Sequence, residues 1–153
     1  MIYLAADHAG FELKEKIKLF LADLDYETRD FGSFSYNKDD DYPDFISPLA
    51  EELQKDIENG GSSKAVIFGF SGQGEAICAN RHKNIRAAVF YGGPKEIIKL
   101  AREHNNVNVL SLAAGFISEE DAKNAVKLFL EIKFPSREDL NSERHLRRVK
   151  KLM

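Results

Sequence analysis

The sequence predicts an α/β domain of three layers, α/β/α, on a five-stranded parallel sheet, and three observations carry that reading. Short β-prone runs alternate with longer amphipathic ones from end to end, the order that places helices on both faces of a parallel sheet. The run Ala65 to Phe70 is almost wholly apolar, as a central strand covered on both faces has to be. At 153 residues the chain is long enough to bury one core and short for two, so residues 1–153 are expected to form a single domain.

Ile2 to Ala6 is the first predicted strand, and Phe11 to Leu24 follows as a helix with Leu13, Ile17, Phe20 and Leu21 at helical spacing. Tyr26 to Phe31 is a weaker second strand closed by Gly32. The acidic stretch Tyr36 to Pro43 reads as a loop into a helix that runs to about Asn59 and is stopped by Gly60-Gly61. Pro48 is expected in the first turns of that helix or at a kink in it. Ala65 to Phe70, Ala87 to Tyr91 and Val107 to Leu112 are the remaining strands. Helices are expected over Glu75 to His82, Pro94 to His104 and Ser118 to Ile132, with an extended C-terminal helix from about residue 138 to 153.

Hydrophobic residues make up 43% of the chain and charged residues 31%, the balance of a globular protein. No tract has the apolar length of a bilayer span, and the N-terminus lacks the basic start and long apolar middle of a signal peptide. The single cysteine, Cys78, can form no internal disulfide, so a reducing, cytoplasmic location is expected. A formal net charge of −3 gives no global attraction to nucleic acid, although Arg144, Arg147, Arg148, Lys150 and Lys151 make a basic tail.

In a doubly wound sheet, ligands bind outside the carboxyl ends of the strands, so the residues just after each strand are where chemistry is sought. The turn Ser71-Gly72-Gln73-Gly74 follows the central strand, and its N–H groups can face an anion at the start of the next helix. It is neither a dinucleotide fingerprint, since Ile77 stands at the third glycine, nor a P-loop. Glu75 opens that helix; it can simply complement the helix dipole, or it can move a proton between adjacent carbons while nearby amides hold an enediolate oxygen. Cys78, beside Ile77 and Ala79, reads as a small buried hydrophobe.

Asp7 and His8 after the first strand, and His104 with Asn105 and Asn106 at the end of the fourth helix, can each be plain helix-end residues. Placed together at one sheet edge they would supply the acid and base that open a sugar ring. Arg144 and Arg148 share one helix face beside His145, as a phosphate clamp requires, and equally as a solvated helix end does. His8, His104, His145 and the run Asp39 to Asp41 show no metal-site spacing, so no metal is expected.

Five ordered blocks give the chain a wider likeness: Ala6-Asp7-His8-Ala9-Gly10, Asp41-Tyr42-Pro43, Ser71-Gly72-Gln73-Gly74-Glu75 with Ala79-Asn80-Arg81, Arg102-Glu103-His104-Asn105-Asn106, and Arg144-His145-Leu146-Arg147-Arg148. Through them it resembles, almost end to end, the type B ribose-5-phosphate isomerases and the related galactose-6-phosphate isomerase subunits. The resemblance implies a Rossmann-like sheet, no metal or organic cofactor, and a homodimer whose sites draw on both chains, the C-terminal helix packing on the partner. Whether dimers pair into tetramers stays open.

The activity so implied is interconversion of ribose 5-phosphate and ribulose 5-phosphate, or of a related sugar phosphate, through a cis-enediolate. His104 would open the furanose ring with Asp7 assisting, Glu75 would move the proton between C2 and C1, and Ser71 would help proton exchange between O1 and O2. Amides of Gly72, Gln73 and Gly74, with Asn105, would steady the enediolate. His8, with a partner's Arg144, His145 and Arg148, would meet the phosphate. The branch of the family that uses a cysteine base carries it where this chain has Gly69. Two positions depart from the family pattern: Phe70 stands for a glycine, and Gly115 for an arginine that binds phosphate or sugar. They leave room for a changed sugar preference, or for a sugar-phosphate-binding protein without catalysis.

Overall fold

The computed structural model describes residues 1–135 and 142–152. Five strands, all parallel, pair in the order β2-β1-β3-β5-β4, where β1 is Ile2–Ala6, β2 Thr28–Asp30, β3 Lys64–Gly69, β4 Ala87–Phe90 and β5 Val109–Ala113. Helices α1 (Phe11–Asp23), α2 (Pro43–Glu58), α3 (Gln73–Ala79), α4 (Glu96–Asn105) and α5 (Glu119–Glu131) connect and follow them. A sixth helix, α6, spans Glu143–Lys150; the predicted start of the C-terminal helix near residue 138 lies outside the described residues.

Side chains alternate across a strand, and the two cores follow that period. Ile2, Leu4, Ala6, Val66, Phe68, Leu110 and Leu112 face one layer, against Leu13, Ile17 and Leu21 of α1, Ile98 of α4 and Phe129 of α5. Tyr3, Ala5, Ala65, Ile67 and Val109 face the other, against Ile46, Leu49 and Leu53 of α2 and Ala79 of α3. β3 is the central strand expected from its composition.

Differences from the sequence reading have local causes. β2 shrinks to three residues because it is an edge strand whose side chains stay half-exposed or exposed. β5 starts two residues later than predicted, since Asn108 turns its side chain to the main chain of Arg86 and Asn84 instead of into the sheet. α2 runs unbroken through Pro48, with Pro43 in its first turn, where a missing N–H costs nothing. α3 begins at Gln73, two residues early, because Gly72 enters the left-handed region at φ 70° and turns the chain at once into the helix.

Parallel strands place every carboxyl end at one edge, and each returning helix ends at the other. The ends of β1 and β3 therefore lie together. The end of α4, which leads into β5, lies at the amino edge, where Asn106 shares a cavity with Ser62, Ser63 and Arg86. Beside β1, the Asp30 carboxylate takes Lys14 Nζ and Lys18 Nζ, each at 2.6 Å, and the N–H of Gly32 at 3.0 Å. Those bonds anchor the start of the loop that carries Tyr36 and Asp40 over the carboxyl edge.

Candidate active site

At the carboxyl edge, Gly10, Gly72 and Gly74 shape the floor. A Cβ on Gly10 would lie 2.5 Å from the Phe68 carbonyl, so α1 starts flush against β3 only with glycine there. Ser111 Oγ donates to the Gly72 carbonyl at 2.6 Å and fixes the turn from β5. The Tyr42 ring packs on Gly74, where a Cβ would stand 2.9 Å from Cζ.

Glu75 is only 4% exposed, although it begins in the first turn of a helix. Its carboxylate lies against Gly69 and occupies the space that any side chain at position 69 would need. Burial raises its pKa, and the nearby Asp7 charge raises it further, against the bond to its own N–H. A carboxylate so placed is a stronger base than one in water, the condition a proton shuttle requires.

Asp7 is buried as well, and its Oδ1 accepts the N–H groups of Ala9 and Gly10 at 3.0 Å, so it braces the turn that precedes α1, whose N-cap is Gly10 with no side-chain bond, and does not cap the helix as the plain reading held. It follows β1 as Glu75 follows β3, and those two strands are neighbours in the sheet. His8 is held by Asp40, whose Oδ1 accepts the main-chain N–H at 3.0 Å and lies 2.6 Å from Nδ1. That bond, more than any other cause, raises the His8 pKa, so the imidazole favours its charged form. The Tyr36 ring stands edge-on to it at 6.2 Å. Asp7, His8 and Asp40 offer ligand atoms within 4.8 Å of one another, a set that could hold a metal ion, but here His8 Nδ1 is spent on Asp40.

Ser71 and Gln73 line a shallow cavity with the exposed Tyr91 and Phe116. Phe70 leans over Gly115, where a Cβ would fall 2.5–2.9 Å from its ring, and meets Phe116 at 5.4 Å between centroids. The two departures from the family pattern are thus one contact: the aromatic ring fills the place from which a side chain at 115 would start.

The structure brings Asp7, His8, Ser71, Gly72, Gln73, Gly74 and Glu75 together. It does not bring His104 and Asn105 to them, contrary to the expectation of one shared edge, because both close α4 at the amino edge. There α6 packs on α4, and the His145 ring stacks on that of His104, 4.1 Å apart and 6° from parallel. His145 is buried, and burial, then the charges of His104, Arg144 and Arg148, lower its pKa. Arg144 and Arg148 stand exposed on the same short helix. Cys78 is half-buried with its Sγ 3.4 Å from Ser47 Oγ, away from any charged partner among the described residues. Asp40 is the residue that sequence reasoning passed over; it sits in a run of three aspartates, and no local signal tells which of them turns inward.

Residues 2–152 match the family model described as Ribose/Galactose Isomerase. The chain belongs to that family. Among ribose/galactose isomerase relatives, the ribose-5-phosphate isomerase B of Mycolicibacterium paratuberculosis is 34% identical over 148 residues, which cover 97% of this chain and 86% of the relative. A crystal structure of ribose-5-phosphate isomerase B from Mycoplasma genitalium with bound ribulose-5-phosphate has a TM-score of 0.87 at 31% identity, covering 98% of this chain and 91% of the other. The Thermotoga maritima ribose 5-phosphate isomerase has a TM-score of 0.84 at 35% identity, covering 99% of this chain and 95% of the other. The fold expected from the family likeness is the fold observed.

Proposed function

We propose that this chain is an aldose–ketose isomerase that interconverts ribose 5-phosphate and ribulose 5-phosphate with Glu75 as the base. The observation that carries the proposal is the buried Glu75 carboxylate, seated against Gly69 beside Asp7 and the Ser71 to Gly74 turn. In the open-chain sugar, Glu75 takes the proton from C2 and returns it to C1 of the cis-enediolate. Amides of the glycine turn hold the developing negative oxygen, and Ser71 Oγ serves the O1/O2 proton exchange. His8, whose charged form is favoured by Asp40, meets the phosphate end.

We further propose that the site is completed by a second copy of the chain. His104, Asn105, Arg144, His145 and Arg148 cluster at the far edge from Glu75, so one chain alone cannot deliver them to the sugar that Glu75 deprotonates. In a two-fold pair each amino-edge cluster can reach the partner's carboxyl edge, and two equal sites result. The partner's His104 then opens the ring, with Asp7 assisting, while the partner's Arg144 and Arg148 grip the phosphate.

Formation of ribulose 5-phosphate from ribose 5-phosphate tests the activity, with other aldose phosphates assayed alongside. Glu75→Gln should lower kcat by ~10²–10⁴ and keep substrate binding. Near-normal turnover in that variant would move the base elsewhere. Mixing inactive Glu75→Gln and His104→Ala proteins tests the shared site, since half the dimers are then mixed and each holds one intact site. Recovery of about a quarter of wild-type activity is expected, and no recovery would place each site within a single chain.

A second reading, the same isomerisation on a different preferred sugar, is favoured by the Phe70 ring over Gly115, which puts an aromatic surface next to Ser71.

A further inference from the structure

The amino edge of the sheet holds a second cavity, and none of its lining residues is among those assigned to the isomerisation. Its volume is about 460 Å³, and Lys64, Arg86, Arg102, Lys133, Asn106 and Asn108 are among its lining residues. Each cation arrives from a different element. Lys64 opens β3, Arg86 precedes β4, Arg102 lies in the last turn of α4, and Lys133 follows α5.

The first three converge on shared neighbours. Arg86 Nε donates to the Asn106 main-chain oxygen at 2.7 Å, and Arg102 donates to the Asn106 side-chain oxygen at 3.2 Å. Lys64 Nζ and the Arg102 guanidinium both lie against the Phe129 ring, 5.9 Å and 5.6 Å from its centroid.

Their hydrogen bonds go to neutral oxygens. Lys64 bonds the Leu130 carbonyl, Arg86 the Asn84 and Asn106 carbonyls, and Arg102 those of Ile132 and Val107. Among the described residues none of the four cations forms an ion pair with a carboxylate. Asp56, beside the rim, accepts the N–H of Ser63 instead. Burial and the Arg102 charge push Lys64 down to about 8, and burial with the Arg86 charge pushes Arg102 down to about 10. Like charges are therefore held together at an electrostatic cost that a bound anion would offset.

We propose that this cavity is a second anion site, separate from the isomerase site, that takes the phosphate group of a small metabolite. Guanidinium groups flanked by an ammonium suit the tetrahedral oxygens of phosphate, and the cavity falls in the roughly 300–1,000 Å³ range of small-molecule sites.

The test is a titration of the full-length, isotope-labelled protein with inorganic phosphate at neutral pH and constant ionic strength, followed by amide chemical shifts. Saturable shifts are expected at Ser62, Ser63, Lys64 and Asn108, and Arg86→Gln and Lys133→Gln should each weaken them about tenfold. Lys133 is exposed and Arg86 half-buried, so Lys133→Gln reads the site even if Arg86→Gln perturbs folding. A parallel titration with ribose 5-phosphate separates the sources. Tighter binding than inorganic phosphate at these same amides assigns the cavity to a phosphorylated metabolite, and equal binding assigns it to the phosphate group alone. Shifts confined to Ser71 to Gly74, shifts reproduced by chloride, or amino-edge shifts indifferent to both substitutions would overturn the proposal.

Discussion

The Asp40 carboxylate accepts both the main-chain and the ring N–H of His8, so a single aspartate orients the imidazole and favours its charged form. The folded pKa of His8 lies above its ordinary value of 6.5, and the sign follows. Stability from the pair is complete below that ordinary value and is lost as pH rises through the raised one. Attraction to a phosphate fades over the same rise. Asp40→Asn should therefore bring the alkaline loss of substrate binding to lower pH and raise KM at neutral pH by ~3–10-fold, with kcat largely kept. A KM profile unchanged by the substitution would remove His8 from the phosphate end. Glu75 has the same pH sign for stability, because a carboxyl pKa raised by burial likewise means the folded state prefers the proton. Stability falls as pH rises from the ordinary carboxyl value of 4.5 through the raised one, so Glu75→Gln should melt higher than wild type at neutral pH while losing turnover. Phe70 and Gly115 form a further coupled pair. Gly115→Arg alone should clash with the Phe70 ring and lower stability by ~1–3 kcal/mol, and Phe70→Gly in the same chain should restore it. Thermal melting of the single and double variants checks the coupling, and equal melting of the two would show that the ring moves aside without cost.

Among the elements, α6 has the least support from its own chain. Eight residues are too few to hold a helix in water, so its form depends on packing against α4, where His145 stacks on His104. Neither core includes a residue of α6, which makes the helix dispensable for the sheet. A chain ending at residue 141 should keep the melting behaviour of the α/β body and lose turnover of phosphorylated sugar, since Arg144 and Arg148 go with the helix. Circular dichroism and the isomerase assay on that truncation separate the two effects. Full activity without α6 would make its basic face a solvated helix end.

For the molecule as a whole, the decisive geometry is that of a parallel sheet, whose two edges are separated by the length of its strands. Glu75 and the glycine turn stand at one edge, and His104 with the arginine helix at the other. Under the proposed shared site, a second copy of the chain would bring both halves onto one sugar, and the mixed-variant assay tests that requirement directly. The amino edge also carries the cationic cavity, so one chain offers two chemically distinct regions along a single sheet.

The periods of the sequence were enough for the architecture. Alternation along β1, β3 and β5 and helical spacing along α1 are short-range properties, and they fixed the parallel sheet, its central strand and the turn before Glu75. The motif residues were legible too, because a glycine turn after a buried strand and an acid at the next helix start are adjacent in the chain. What remained for the tertiary structure were relations between distant segments. His104 follows a strand by one helix, and only the direction of that helix decides which edge it reaches. Asp40, 32 positions beyond His8, became its partner through the loop that follows β2, and nothing in a run of three aspartates distinguishes the one that turns inward. Phe70 and Gly115 read as two separate losses until the pairing of β3 with β5 laid one upon the other. Lys64, Arg86 and Arg102 are scattered in sequence and meet because strand order and helix return place their elements side by side, a contact that periodicity does not encode.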